Sequence, residues 1–416
     1  MYVFYQILLL IVTLLSPFII FYRVLKNKED SKRFIEKFSF NTKKRKKGKL
    51  IWFHGASVGE ILSIIPLIKN YENDKEISQI LVTSTTLSSS KVFQKYNFKK
   101  TIHQFYPIDL FFITNKFIKL WKPSVAIFVD SEIWPSMFKK INKSNIPLVL
   151  LNARITKKTF KRWMKIKEFS KSVFSLITVA FPQNLETKFY LKNLNTKKII
   201  QIGNLKFSEN YESKLDNIRK RLKIEFNKKK IWVSSSTHHK EEIFCAQAHL
   251  ELKKKIKNLL TIIIPRHVHR VNEIIHELED LGLKVVLHSS KSANLKNFDI
   301  YLVDTFGETK KFHKLASTVF LGGSIINRGG QNPLEAARLG SKILHGSNVD
   351  NFKDVYKLLK SLNISKKITS SKELASSIIF RSNKKNGLKI KNIGKKILKK
   401  TIKELQYFIR NEFKKT

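Results

Sequence analysis

A chain of 416 residues, 42% of them hydrophobic, is longer than a single core usually grows, so two globular domains are the default expectation. Cys245 is the only cysteine, which excludes an internal disulfide framework and fits a reducing compartment; the 11 histidines form no HExxH or Cys/His cluster at ligand spacing, so neither a metal nor a cofactor is expected. The formal charge of +48, from 80 Lys+Arg against 32 Asp+Glu, has two readings: an anionic partner (nucleic acid, acidic lipid or a phosphorylated substrate), or compositional drift, since Lys, Asn, Ile and Phe are all abundant and the lysines are scattered.

From Tyr2 to Tyr22 only Gln6, Thr13, Ser16 and Pro17 interrupt apolar residues. About 21 residues rising about 1.5 Å each span a ~30 Å hydrocarbon layer. No Lys or Arg precedes this stretch, whereas Arg23, Lys26, Lys28, Lys32 and Arg33 follow it, so the positive-inside rule places the rest of the chain in the cytoplasm. A cleaved signal peptide would carry a basic start and a small-residue cleavage site, and neither is present. Residues 1–22 therefore read as a transmembrane anchor or, because of Pro17, an interfacial one. The anchor argues against a nucleic-acid partner, for which there is also no zinc-finger or RNP-like motif.

After the basic segment ending at Lys49, short β-branched runs alternate with helical stretches: Leu50-Phe53, Ile80-Thr83, Val125-Val129, Leu148-Leu151, Leu176-Val179 and Ile199-Ile202. A polar, Lys-rich stretch over 208–230 breaks the rhythm, which restarts with Ile231-Ser234, Leu260-Ile264, Lys284-Leu287, Ile300-Val303, Thr318-Leu321 and Lys342-Leu344. This alternation predicts two doubly wound α/β domains, 23–207 and 231–381, facing each other across a cleft, with ligands beyond the carboxyl ends of the strands. Residues 382–416 read as a basic amphipathic helix.

The motifs follow the strands. HGASVGE (54–60) leads from the first strand into an apolar helix, with Ser57 as its N-cap. Glu60, three residues on, is either the second half of a capping box or a general base kept ionised and oriented at a helix N-terminus. DSEIWPS (130–136) follows the strand Val125-Val129 and puts Asp130 and Glu132 on one side of an extended segment. Asn152-Ala153-Arg154 follows the next strand, and Gly203-Asn204-Leu205-Lys206-Phe207 closes the half with a cation. In the second half, Pro265-Arg266-His267 places a guanidinium for a bidentate phosphate contact, and Asp304-Thr305-Phe306-Gly307-Glu308 follows a later strand. GGSIINRGGQNPLEAA (322–337) reads as a glycine-rich loop entering a helix with Asn332 as N-cap, Pro333 as N1 and Glu335 as N3, its amides an anion site.

The ordered set HGASVGE, DSEIWPS, NAR, GNLKF, STHHKEE (236–242), PRH, DTFGE, GGS, GGQNPLE and Asn351-Phe352 resembles the motif series of the bacterial Kdo (3-deoxy-D-manno-octulosonic acid) transferases over about residues 50 to 356. The resemblance implies the two-domain GT-B architecture and transfer of Kdo from a CMP-Kdo donor to a phosphorylated lipid A precursor, inverting and metal-independent, at the inner membrane beside its anionic lipids. It implies Glu60 as proton acceptor and Asp130 and Lys206 as transition-state stabilisers, with Glu132 as the fallback. Pro265, Arg266, Phe306, Gly307, Glu308, Asn332, Pro333, Leu334 and Glu335 would hold CMP. Asp130 stands where the family usually has Glu, His239-Lys240 where it has Pro-Gly, and Gln331 where it often has His. The alternative is another GT-B glycosyltransferase using a different nucleotide sugar.

Overall fold

The structure is a computed structural model and describes residues 1–208, 220–290, 297–381 and 383–415. The chain divides into two compact units: one of Met1–Glu209 and Gly394–Thr416, the other of Asn210–Ile393.

The first unit is built on six strands: β1 (Lys49–His54), β2 (Ile77–Ser84), β3 (Thr101–Phe105), β4 (Val125–Val129), β5 (Leu148–Ala153) and β6 (Val179–Pro182). All pair in parallel, in the order β3-β2-β1-β4-β5-β6. Parallel strands need helical crossovers that cover both faces, which is why β4 and β5 are buried throughout. One face packs on Ile61, Ile64, Leu67 and Ile68 of the helix Val58–Glu72, the other on Phe117, Trp121, Phe138 and Phe174.

Two expectations move here. Leu176 and Ile177 close the turn of the helix Lys167–Phe174, their amides bonding to Val173 and Phe174, so β6 begins at Val179. Ile199-Ile202 contributes a single bridge, Ala180 to Ile199, in place of a strand. Strand β3 was not anticipated, because Thr101-Ile-His-Gln-Phe carries polar side chains on a sheet edge.

The second unit has seven strands: β7 (Lys230–Thr237), β8 (Leu259–Pro265), β9 (Val285–Leu287), β10 (Ile300–Leu302), β11 (Thr318–Leu321), β12 (Lys342–His345) and β13 (Ser365–Lys367). They are again all parallel, in the order β13-β12-β11-β7-β8-β10-β9. The expected linker over 208–230 falls partly outside the described residues, at 209–219; most of its remainder forms the helix Lys220–Asn227, with Leu222 and Phe226 buried.

The C-terminal helix, Lys384–Phe413, belongs to both units by its residues. Gly387 backs so closely onto Arg338 that a Cβ there would lie 2.6 Å from the Arg338 carbonyl oxygen, and Gly394 would meet that of Phe207 at 2.0 Å. Beyond Gly394 the helix buries Leu405, Phe408, Ile409 and Phe413 in the first unit's core. The basic segment is therefore a packed element, its lysines leaving one apolar stripe free to bury. Leu405→Ala should lower the stability of the first unit by about 2–5 kcal/mol; an unchanged urea midpoint would remove this stripe from the core.

Candidate functional site

In each sheet the strand order reverses beside the unit's first strand: β1 lies between β2 and β4, and β7 between β8 and β11. Loops leaving the carboxyl ends of such neighbours diverge to opposite faces and open a crevice. HGASVGE and DSEIWPS leave β1 and β4; STHHKEE and GGS leave β7 and β11.

At the first switch point, Ser57 caps the helix Val58–Glu72 in a complete capping box. Glu60 Oε2 accepts from the Ala56 amide at 2.6 Å and the Ser57 amide at 3.4 Å, and the Ser57 hydroxyl donates to Glu60 Oε1 at 2.9 Å. The capping reading is thus correct, but it does not exhaust the residue. Burial, then the negative charges of Glu132 and Asp130, push the Glu60 carboxyl up to about 7. That is the range in which a carboxyl group exchanges a proton efficiently at neutral pH.

Asp130 and Glu132 do not share an extended segment. The chain turns at Asp130, which has a left-handed φ of 62°, and the turn is held by its amide on the Leu151 carbonyl (2.9 Å) and by the Arg154 amide on its own carbonyl (3.0 Å). The buried Asp130 carboxylate accepts from Lys206 Nζ at 2.8 Å. Lys206 is delivered by a short 3₁₀ helix, Leu205–Ser208, whose first amide donates to Asn152 Oδ1 at 2.9 Å and whose second donates to Asn204 Oδ1 at 2.9 Å. NAR and GNLKF are therefore one device for placing a cation on Asp130. Glu132 Oε2 accepts from Trp134 Nε1 at 2.9 Å and lies 3.2 Å from His54 Nε2. His54 is fully buried, stacked on Tyr106 at 3.8 Å, with Nδ1 at 3.0 Å from Thr83 Oγ1; burial lowers its pKa against the opposing pull of Glu132. Glu60, Asp130, Glu132 and Lys206 thus form one cluster, supported by His54 and Asn152.

The second switch point differs from expectation. The amides of Gly323, Ser324 and Ile325 all donate to the buried carboxylate of Glu241, at 2.7, 3.1 and 3.0 Å, and the His238 amide joins them at 3.0 Å. A Cβ on Gly322 would sit 2.4 Å from the Ser236 carbonyl oxygen, so only glycine fits there. This part of the loop holds an internal anion rather than an external one. The helix that follows is one turn, Leu334–Arg338, with Pro333 at the N-cap position and Asn332 Oδ1 accepting from the Leu334 amide at 3.1 Å. So short a helix adds little dipole.

Cationic side chains supply the anion attraction instead. Arg266 and Arg328 are exposed, and neither has a carboxylate partner among the described residues. His238 is held down to about 4 by burial and then by the positive charges of His267, Arg328, Arg266 and Arg270. The charges that add to burial there mark a positive field at the ends of β7 and β8. Nearby on the same carboxyl edge, Phe306 is 79% exposed and Gly307 has a φ of 89°. Glu308 pairs with Lys311 at 2.7 Å and lies 3.8 Å from His288. Buried Leu334 anchors the last loop, and Glu335 Oε1 lies 3.9 Å from His313 Nδ1. Pro265 ends β8 and so sets the exit of Arg266.

Three possible metal ligands, His239, Glu273 and Glu277, place ligand atoms within 4.8 Å of one another. Arg270 already donates to Glu273 at 3.2 Å and to Glu242 at 3.1 Å, so this group has its cation. His238 and Glu241 are visible in the sequence only as part of STHHKEE; nothing local distinguishes Arg328 from the many other basic residues, and no local signal ties Glu241 to a loop more than 80 positions away.

A family model described as 3-Deoxy-D-manno-octulosonic-acid transferase (kdotransferase) matches residues 32–209. The 3-deoxy-D-manno-octulosonic acid transferase of Rickettsia prowazekii is 34% identical over 355 residues, 84% of this chain and 76% of that protein. That of Haemophilus influenzae is 29% identical over 315 residues, 74% of this chain and 73% of its own. A putative UDP-N-acetylglucosamine 2-epimerase from Listeria monocytogenes has a TM-score of 0.59 at 12% identity, covering 89% of this chain and 98% of that one, a likeness of fold alone. The architecture is of the GT-B type, two parallel-sheet α/β units preceded by an apolar helix.

The Glu60 carboxyl has a pH signature. Its folded pKa lies above the ordinary 4.5, so the proton it binds on folding stabilises the unit fully below that value, and this contribution is lost as pH rises through about 7. Melting of the native chain should fall relative to Glu60→Gln across that interval; a difference independent of pH would mean that Glu60 is an ordinary ionised cap.

Proposed function

The chain belongs to the 3-deoxy-D-manno-octulosonic acid (Kdo) transferase family and is a glycosyltransferase, and from that premise we propose that it moves Kdo from CMP-Kdo to a phosphorylated lipid A precursor at the cytoplasmic face of the bacterial inner membrane. The observation that carries this reading is the Glu60 carboxyl, poised at about 7 beside Asp130 and Glu132 at the switch point of the first sheet.

An acceptor hydroxyl is a poor nucleophile until its proton is removed. Glu60 takes that proton as the hydroxyl oxygen bonds to the anomeric carbon of Kdo, and the bond from that carbon to the CMP phosphate oxygen breaks with inversion. Positive charge develops on the sugar ring as this happens. Asp130, its carboxylate fixed by Lys206, is the buried anion suited to stabilising it. Negative charge develops on the departing phosphate, for which Arg266, Arg328 and the positive field around His238 are suited. On this reading the chain's own cations do what a divalent ion does elsewhere, and the reaction is metal-independent. Phe306 offers an exposed ring to the base, and Glu308, Asn332 and Glu335 offer acceptors to nucleotide hydroxyls. The net charge of +48 and the exposed apolar N-terminal helix suit an anionic membrane that carries a bisphosphorylated acceptor.

Incubation with CMP-Kdo and a tetra-acylated lipid A precursor, followed by mass spectrometry, should show added Kdo; transfer from a uridine nucleotide sugar instead would overturn the donor assignment. Glu60→Gln should keep CMP affinity while losing transfer by roughly 10²–10⁴-fold, and near-normal transfer would move the base to Asp130 or Glu132. Arg266→Ala should weaken CMP binding by about 1.5–3 kcal/mol in calorimetry, the loss of a charge-assisted contact; unchanged affinity would take Arg266 out of the site.

A further inference from the structure

The helix Tyr2–Leu25 is amphipathic in the inverse sense of a helix on a soluble protein. Its shielded positions, Tyr2, Tyr5, Gln6, Thr13, Ser16 and Ile20 among them, recur at helical spacing and form one stripe. The opposite face, running through Phe4, Leu8, Ile11, Leu15 and Phe18, is apolar and exposed. Gln6, Thr13 and Ser16, the uncharged polar residues between Tyr5 and Ile20, all lie on the shielded stripe. Ser16 also repairs the backbone: Pro17 cannot donate to the Thr13 carbonyl, and the Ser16 hydroxyl does so instead at 2.7 Å.

The stripe is tied to the first unit at both ends. Tyr5 donates to Asp109 Oδ2 at 2.7 Å, Gln6 donates to Ser136 Oγ at 2.6 Å and accepts from the Phe111 amide at 2.9 Å, and Lys139 Nζ lies 3.9 Å from the Tyr2 ring centroid. Asp109 is itself fixed by the amides of Ser136 and Met137, at 2.9 and 2.8 Å. At the other end Arg23 donates to Glu29 at 3.2 Å, and Glu29 also holds Lys37. Tyr5 and Arg23 are about 27 Å apart along the axis, close to the ~30 Å of a hydrocarbon layer. A crossing helix would put Asp109 and Ser136 on the opposite side of the bilayer from Glu29 and Lys37, although all four belong to one folded unit.

We infer that this helix does not cross a bilayer but lies in the plane of one leaflet, with Phe4, Leu8, Ile11, Leu15 and Phe18 among the acyl chains and its polar stripe locked on Asp109 and Ser136. The inference rests on the membrane association proposed above and specifies its geometry. The partner is an anionic lipid surface: the outward face is continuously apolar, Phe112, next to the Phe111 amide that donates to Gln6, is a further exposed apolar side chain at 73%, and the chain's charge of +48 complements acidic headgroups.

The sole native cysteine is buried, so introduced thiols can be labelled singly. Full-length Phe4→Cys, Ile11→Cys and Phe18→Cys, each carrying an environment-sensitive fluorophore, would be bound to phosphatidylglycerol vesicles doped with lipids spin-labelled at different depths. All three should shift to the blue and be quenched most by the same shallow label. A profile in which position 11 sits at the bilayer centre while positions 4 and 18 sit near opposite surfaces overturns the in-plane geometry and leaves membrane association standing. No shift at any position overturns both. In a second measurement, Gln6→Cys with Ser136→Cys should be joined by a short bifunctional maleimide in vesicle-bound protein. Failure to link when the free chain links readily would show that the helix leaves the unit on binding.

Discussion

Everything that this molecule can do at its site follows from how a parallel sheet reverses its strand order. Because β1 is flanked by β2 on one side and β4 on the other, the loops after β1 and β4 must part, and the space between them is where side chains can meet without filling a core. The same constraint acts at β7 and β11. The chain uses the two crevices with opposite charge. In the first unit Glu60, Asp130 and Glu132 crowd together with Lys206, and burial, then the two neighbouring carboxylates, raises the proton affinity of Glu60. In the second, Arg266, Arg328 and three histidines lie at or near the strand ends, and burial, then these positive charges, suppresses protonation of His238. On the proposed function, the first would supply the base that accepts a proton and the second the field that accepts the leaving phosphate.

Capping does not conflict with the base role proposed for Glu60. A capping box fixes both oxygens of the carboxylate against Ala56 and Ser57, which is the positioning that a general base needs. The cap by itself would hold the group ionised; burial and two neighbouring carboxylates act the other way and win. Glu241 shows the contrasting case, a buried carboxylate that collects four backbone amides and is spent on holding the loop after β11 against β7.

Where a strand is a compact apolar or β-branched run bounded by turn residues, as Val125-Val129 and Thr318-Leu321 are, its limits could be read directly from the residues. Two edge strands could not: β3 carries Thr, His and Gln among its five residues, and β13 is Ser-Lys-Lys, held by its pairing with β12 rather than by its own composition. Within the site, each motif was legible as a residue set after a strand, whereas its conformation was not. The left-handed turn at Asp130 depends on Leu151 and Arg154 of the next crossover, and the occupation of the Gly323 to Ile325 amides depends on Glu241, so both are tertiary facts. The N-terminal helix shows the same division. Its hydrophobicity was plain, but its polar stripe acquires meaning only once Asp109 and Ser136 are seen to receive it.

The central claim is that Glu60 acts as a base whose pKa is raised by burial and then by its anionic neighbours. The most direct test is the pH dependence of Kdo transfer in the native chain and in Glu132→Gln, which keeps the size of the side chain and removes one of the two charges that raise the Glu60 pKa. The native rate should fall on the acid side with an apparent pKa near 7, and in the variant that limb should move to lower pH, since Glu60 then ionises more easily. An acid limb that stays in place when the Glu132 charge is removed would contradict the account.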